Sequence, residues 1–129
     1  MKKNVLLILS FVIFSGIMFA QSGSCCSAKP KVTFVELGSK NCIPCKKMQP
    51  VMDAIEKKYG KQVKVVFHDV WKADQKKYAT QYKIKIIPTQ VFLDENGKEF
   101  HRHEGFYPEN EIDKILQKKG LKVIKKDNK

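Results

Sequence analysis

The spacing of hydrophobic residues changes several times along this chain, and each change marks an element. Residues 5–20 form a nearly unbroken apolar run, interrupted only by Ser10, Ser15 and Gly16. From Ser22 to Lys31 no periodicity is visible. Residues 32–37, Val-Thr-Phe-Val-Glu-Leu, are rich in β-branched and aromatic side chains and bounded by Gly38, which predicts a buried strand. Cys45, Met48, Met52, Ile55 and Tyr59 then recur at spacings of three and four, the stripe of a helix that Gly60 closes. Residues 63–70 predict a second strand and 72–82 a second helix. Residues 89–93 and 98–103 flank Asp94-Glu-Asn-Gly97, a hairpin signature. Pro108 opens a last helix with Ile112, Ile115 and Leu116 on one face, and the lysine-rich tail from Lys122 is expected to fray. The order β-α-β-α-β-β-α defines an α/β fold: a parallel strand pair and a terminal antiparallel hairpin in one sheet, with helices on both faces.

Length and composition narrow the picture. A chain of 129 residues holds one domain, and 43% hydrophobic with 29% charged residues exclude both a disordered tail and a polytopic membrane protein. The net charge of +12 is almost entirely lysine, Arg102 being the single arginine. That pattern points to a solvated surface rather than a nucleic-acid partner, because base recognition leans on arginine. Lys2 and Lys3 before the apolar run, and polar residues after it, have the layout of a secretory signal peptide over residues 1–20, with Ala20 before the cut. The alternative is an uncleaved membrane anchor; either way the globular part is exported. The expected organisation is then a flexible tether at 21–30, a folded domain at 31–121 and a basic tail at 122–129. Cys25 and Cys26 lie in the tether, either as a lipid attachment site on Cys25, as an incidental pair or as free thiols. Ser22 stands where a lipid signal usually carries a leucine-like residue.

Chemistry concentrates at Asn41-Cys42-Ile43-Pro44-Cys45, a Cys-x-x-Cys between a predicted strand and a predicted helix. A cysteine at a helix N-terminus meets unpaired backbone N–H groups and the positive end of the macrodipole, which favour a thiolate. Pro44 suits the first helical turn, where its missing N–H has no partner to lose. Cys42 is therefore expected to be the exposed attacking thiol and Cys45, on the apolar stripe, the sheltered resolving one. Glu36 lies on the strand before the pair, and alternation in a strand covered on both faces does not decide whether it points inward or outward. A closed zinc site needs four ligands, and only the Cys25-Cys26 pair is on offer, so no metal or other cofactor is expected. His101 and His103, two apart on a strand, read as solvent-facing, and Trp71 as core or rim packing. Met48 and Met52 read as core.

Several motifs occur together in one order. Cys42-Ile-Pro-Cys45 has a proline before the second cysteine, Pro50 follows within the helix, Ile87-Pro88-Thr89 opens a strand, Asn96-Gly97 makes the hairpin, and Gly105 precedes the last helix. In this the chain resembles the thioredoxin family over residues 31–121. The resemblance implies a shortened thioredoxin-like fold, a cis peptide bond at Pro88 beside the cysteines, and a buried acid at Glu36, where the family carries aspartate. It also implies a substrate groove made by Ile43, Pro44, Ile87, Pro88 and Gly105. Asn41 replaces the usual tryptophan, Ile43 the usual glycine, and Phe67 the lysine that usually partners the acid. The implied activity is thiol–disulfide exchange by Cys42, Cys45 and Glu36. It would act on disulfide-containing envelope proteins and be recharged by a membrane electron donor of the DsbD or CcdA type. A disulfide oxidase or isomerase, or a non-catalytic module using the same groove, are the alternatives. The histidine that strong oxidants carry between their cysteines is missing from Ile43-Pro44.

Overall fold

The computed structural model describes residues 29–124. The apolar segment, Cys25 and Cys26, and the end of the tail at 125–129 lie outside the described residues. β1 (Val32–Gly38) is buried along nearly its whole length, so its side chains cannot alternate between apolar and polar. Its position explains this: β1 lies inside a mixed four-stranded sheet of order β2–β1–β3–β4. β2 (Val63–Asp69) runs parallel to it, and β3 (Thr89–Asp94) antiparallel on its other side. β4 (Glu99–Glu104) completes the hairpin with β3 at the edge, with an irregularity between Phe92 and Leu93.

Odd and even positions of β1 feed different cores. Val32 and Phe34 pack with Met48, Met52, Ile55 and Tyr59 of α1 (Ile43–Tyr59) and with Ile112 and Leu116 of α3 (Glu109–Lys118). Val35 and Leu37 face the other way, against Val70, Val91 and the half-buried Tyr78, Ala79 and Tyr82 around α2 (Lys77–Gln81). Helices therefore cover both faces, as the sequence predicts. α1 and α3 are tied by Lys58, which pairs with Glu109 and with Asp113 at 2.6 Å, and by the Tyr59 hydroxyl donating to Asp113 at 3.0 Å.

Two expectations are corrected. The helix expected over 72–82 is only α2, because side chains capture the backbone before it. Gln75 Oε1 accepts the Asp69 N–H at 3.0 Å, and Asp69 Oδ1 accepts the Trp71 N–H at 3.3 Å. Such local bonds compete with helix propagation. The start of the tail does not fray. Leu121 is buried, Gln62 exchanges hydrogen bonds with the Lys122 backbone at 2.7 and 3.2 Å, and Ile124 N–H donates to Lys58 O at 2.8 Å.

Candidate functional site

Because β2 runs with β1 while β3 runs against it, one end of the sheet collects the ends of β1, β2 and β4 and the start of β3. Residues 38–42, 70–76, 86–88 and 105–107 consequently gather there from distant parts of the chain. Cys42 stands at this end as the N-cap of α1, with extended backbone (φ −92°, ψ 124°). Its carbonyl accepts the Lys46 N–H at 3.0 Å, and its own N–H donates to Ser39 O at 3.2 Å. Pro44 sits in the first turn, where no helical N–H is needed. Ile43 is 71% exposed.

Both cysteines are free thiols. Cys42 is 9% exposed and Cys45 3%. The expected order of depth holds, but Cys42 is itself largely covered rather than exposed, with the partner thiol lying against it. Burial pushes the Cys45 thiol up to about 12, helped by its contact with Cys42 and by the negative charge of Glu36, and opposed by the Ser39 backbone N–H. Gly38 makes the close approach possible: a Cβ there would lie 3.1 Å from Cys45 Sγ and 3.4 Å from Phe67 Cε2. The sequence marks Gly38 only as the end of a strand.

Glu36 points inward and is fully buried, on the same side of the sheet as Phe34 and α1. In register it lies between Phe67 of β2 and Gln90 of β3. Burial raises its carboxyl to about 8, and the nearby Gln90 amide lowers it somewhat. Neither side chain completes a hydrogen bond of good geometry, so all four of their polar atoms are buried and unpartnered. Among the described residues no cation balances the carboxylate, and the place opposite on β2 is the aromatic ring of Phe67.

The remaining residues expected to line a groove come from the other strand ends. Ile87–Pro88 is cis, as expected, and Pro88 is buried. Pro88 O accepts the Gly105 N–H at 2.7 Å, and Gly105 has φ +92°, a conformation that side-chain-bearing residues rarely adopt. Thr89 Oγ1 donates to Ile86 O at 2.7 Å. Ile86, Phe106 and Trp71 are all well exposed at this end, so of the two places expected for Trp71 the core is excluded, and Ile86 and Phe106 join the exposed apolar residues unannounced. Nothing in the sequence distinguishes Ile86 from its neighbour Ile87.

His101 and His103 are half-buried rather than solvent-facing. His101 Nε2 shares a hydrogen bond with Tyr107 Oη at 2.9 Å, and the His103 ring stacks on Tyr107 at 4.0 Å. A cleft of about 200 Å³, lined by Ser39, Lys40, Cys45, Lys46, Gln49 and Phe67, reaches Cys45. A cavity of about 330 Å³ lined by Phe100, His101, Ile115, Lys118 and Lys119 contains none of the thiol-site groups, so size does not mark the site.

A mixed sheet flanked by helices, with two close cysteines at the start of α1 and a cis-proline at the same end of the sheet, defines a thioredoxin-like domain, the kind of domain found in thiol–disulfide oxidoreductases. The chain belongs to the thioredoxin-like domain family, whose model matches residues 26–120. It is 34% identical over 85 residues to the chloroplastic thioredoxin Y of rice, covering 64% of this chain and 47% of that protein, so it spans about half of that relative's length. The thioredoxin of Mycoplasmoides gallisepticum is 33% identical over 89 residues, 67% of this chain and 83% of that one. Among solved structures, thioredoxin-2 of the malaria parasite superposes with a TM-score of 0.62 at 25% identity, over 68% of this chain and 82% of that chain.

The state of Glu36 has a measurable consequence. An unfolded glutamate releases its proton near 4.5, whereas the folded one keeps it until about 8. Across that window the folded state holds more protons, so stability falls as pH rises, with a ceiling of roughly 5 kcal/mol. Glu36→Gln removes this loss. Thermal melts should show a gain in Tm on the order of 10 °C at pH 9 and no gain at pH 4. An equal Tm difference at both pH values contradicts a buried, proton-holding Glu36.

Proposed function

We propose that this chain is an exported thiol–disulfide oxidoreductase that reduces protein disulfides in the cell envelope through Cys42 and Cys45. The observation that carries the reading is the asymmetry of the pair: Cys42 caps α1, while Cys45 lies deeper, against Gly38 and within the field of Glu36. Export rests on the layout of residues 1–20, a short basic start followed by an apolar run.

In the first step the Cys42 thiolate attacks one sulfur of a substrate disulfide. The substrate S–S bond breaks, its leaving sulfur takes up a proton, and a mixed disulfide joins Cys42 to the substrate. Cys42 then has no thiol proton and no charge, so the two contributions by which it holds Cys45 protonated disappear. In the dithiol form, the gap between about 12 for Cys45 and about 8 for Glu36 opposes proton transfer by roughly 5 kcal/mol. Formation of the mixed disulfide narrows that gap. Glu36, as carboxylate, takes the Cys45 proton, and the Cys45 thiolate attacks Cys42 Sγ. The Cys42–Cys45 bond forms, the substrate sulfur leaves and is protonated, and two electrons have passed to the substrate. No cofactor takes part.

Ile43, Pro44, Ile87, Pro88 and Gly105 form the groove where the substrate segment lies, with exposed Ile86 and Phe106 extending its apolar rim. The main chain at Ile87, preceding β3, is placed to pair with an extended substrate. Re-reduction of the Cys42–Cys45 bond outside the cytoplasm needs a membrane donor of the DsbD or CcdA type. The direction of electron flow follows from Ile43-Pro44, which offers no charge or hydrogen-bond donor to the Cys42 sulfur. The reduced form is thereby less favoured than in a strong oxidant.

Two measurements test this reading. Equilibration with glutathione buffers should give a reduction potential nearer to thioredoxin's, about −270 mV, than to DsbA's, about −120 mV; an oxidising value reverses the assignment to an oxidase. In envelope preparations resolved on non-reducing gels, Cys45→Ser should accumulate mixed disulfides and Cys42→Ser should not. Equal trapping by both variants would sink the roles given to the two thiols.

A further inference from the structure

Gln90 is a group that the exchange mechanism so far leaves unused. It is fully buried at the second position of β3, directly opposite Glu36 in the β1–β3 register and on the same side of the sheet. Directly opposed side chains on one face of an antiparallel pair have Cβ atoms about 5 Å apart, within reach of a glutamate and a glutamine. An unpaired buried amide is unfavourable, and an apolar residue in a covered β-strand is the ordinary choice. Here the amide faces a buried acid, and among the described residues no polar atom of either side chain has a hydrogen-bond partner of good geometry.

We propose that Gln90 is a positioning residue that sets the protonation of Glu36, and through it the rate at which Cys45 resolves the mixed disulfide. The inference rests on the reading of Glu36 as the proton acceptor for Cys45. Its physical basis is that a primary amide serves both forms of a carboxyl group. Its N–H donates to the carboxylate, and its C=O accepts from the carboxylic acid after a half-turn of the amide. A cation in that place would stabilise the carboxylate alone and hold the acid ionised. The position facing Glu36 from β2 is Phe67, which can do neither. Among the described residues, the titratable group from α1 that feels the Glu36 charge is the Cys45 thiol, with Cys42 against it. His103 on β4 is reached only across Gln90, which is its own partner in register. An amide in this setting leaves Glu36 able to take the Cys45 proton in resolution and to give it up again to the departing substrate sulfur, with no change in the electron count of the exchange.

The downward pull of Gln90 on the Glu36 carboxyl agrees with this role. The test is a carbon-detected NMR titration of the Glu36 carboxyl in the full chain, beside the pH profile of the resolving step in stopped flow. Gln90→Met keeps the size and flexibility of the side chain and removes the amide; Gln90→Leu is the second variant should the first pack badly. Both should move the Glu36 inflection upward by about one pH unit, with the resolving-step inflection moving by the same amount. A purely structural glutamine would change amplitude or stability without moving either inflection. An unmoved Glu36 titration in both variants overturns the proposal and leaves the reductase reading intact. A moved titration with an unmoved resolving profile also overturns it, since Gln90 would then act on the acid without acting on the reaction. Failure of the wild-type chain to reduce a disulfide such as that of insulin defeats the reductase reading instead, and the NMR titration, which needs no substrate, tells the two apart.

Discussion

A carboxyl group without solvent and, among the described residues, without a counter-charge is the constraint around which this domain is arranged. Glu36 lies on the strand with both faces covered, and the neighbours that register gives it are an aromatic ring and an amide. The price of ionising it there is what keeps its proton in place until about pH 8. Folding tolerates the group below about pH 8 because it is neutral there. A buried acid tuned to neutral pH is also what a proton acceptor for a buried thiol requires. Stability and chemistry meet in this one side chain, and they pull in opposite directions as pH rises.

The rest of the site follows from strand directions. One parallel and two antiparallel pairings bring four chain segments to the same end of the sheet, and no single segment holds the site alone. α1 begins there because Cys42 is an extended N-cap and Pro44 tolerates the first turn. The missing side chain of Gly38 lets Cys45 approach the end of β1, and the positive φ of Gly105 turns its N–H onto Pro88. These are backbone requirements. They specify where two sulfurs and one acid stand, while the exposed apolar residues around them remain free to vary with the substrate.

Much of this was legible along the chain, and the failures have identifiable causes. β1 was readable because its β-branched run ends at Gly38, β3 and β4 because Asn96-Gly97 marks the turn between them, and α1 because its stripe from Cys45 to Tyr59 keeps the helical period. The Cys-x-x-Cys and Ile87-Pro88 were readable because local chemistry marks them. The inward direction of Glu36 was not, since a strand covered on both faces loses its alternation. Gln90 was invisible for the same reason, and its meaning depends on a partner 54 positions away that only the strand pairing supplies. The helix expected over 72–82 came out too long because Asp69 and Gln75 divert the backbone before α2 through side-chain bonds that periodicity does not register. Tyr107 draws His101 and His103 into a packed cluster from the far side of a turn, which no spacing rule anticipates.

The central claim is that one dithiol contains two chemically different sulfurs, separated by depth and by the acid behind one of them. Site-resolved alkylation of the reduced, folded chain tests it most directly. With a small alkylating reagent at pH 7.5 (chosen as roughly neutral), mass spectrometry of the peptides should find the label on Cys42, with Cys45 protected until the chain is unfolded. Labelling of Cys45 at a rate equal to or faster than that of Cys42 in the folded protein would contradict the account.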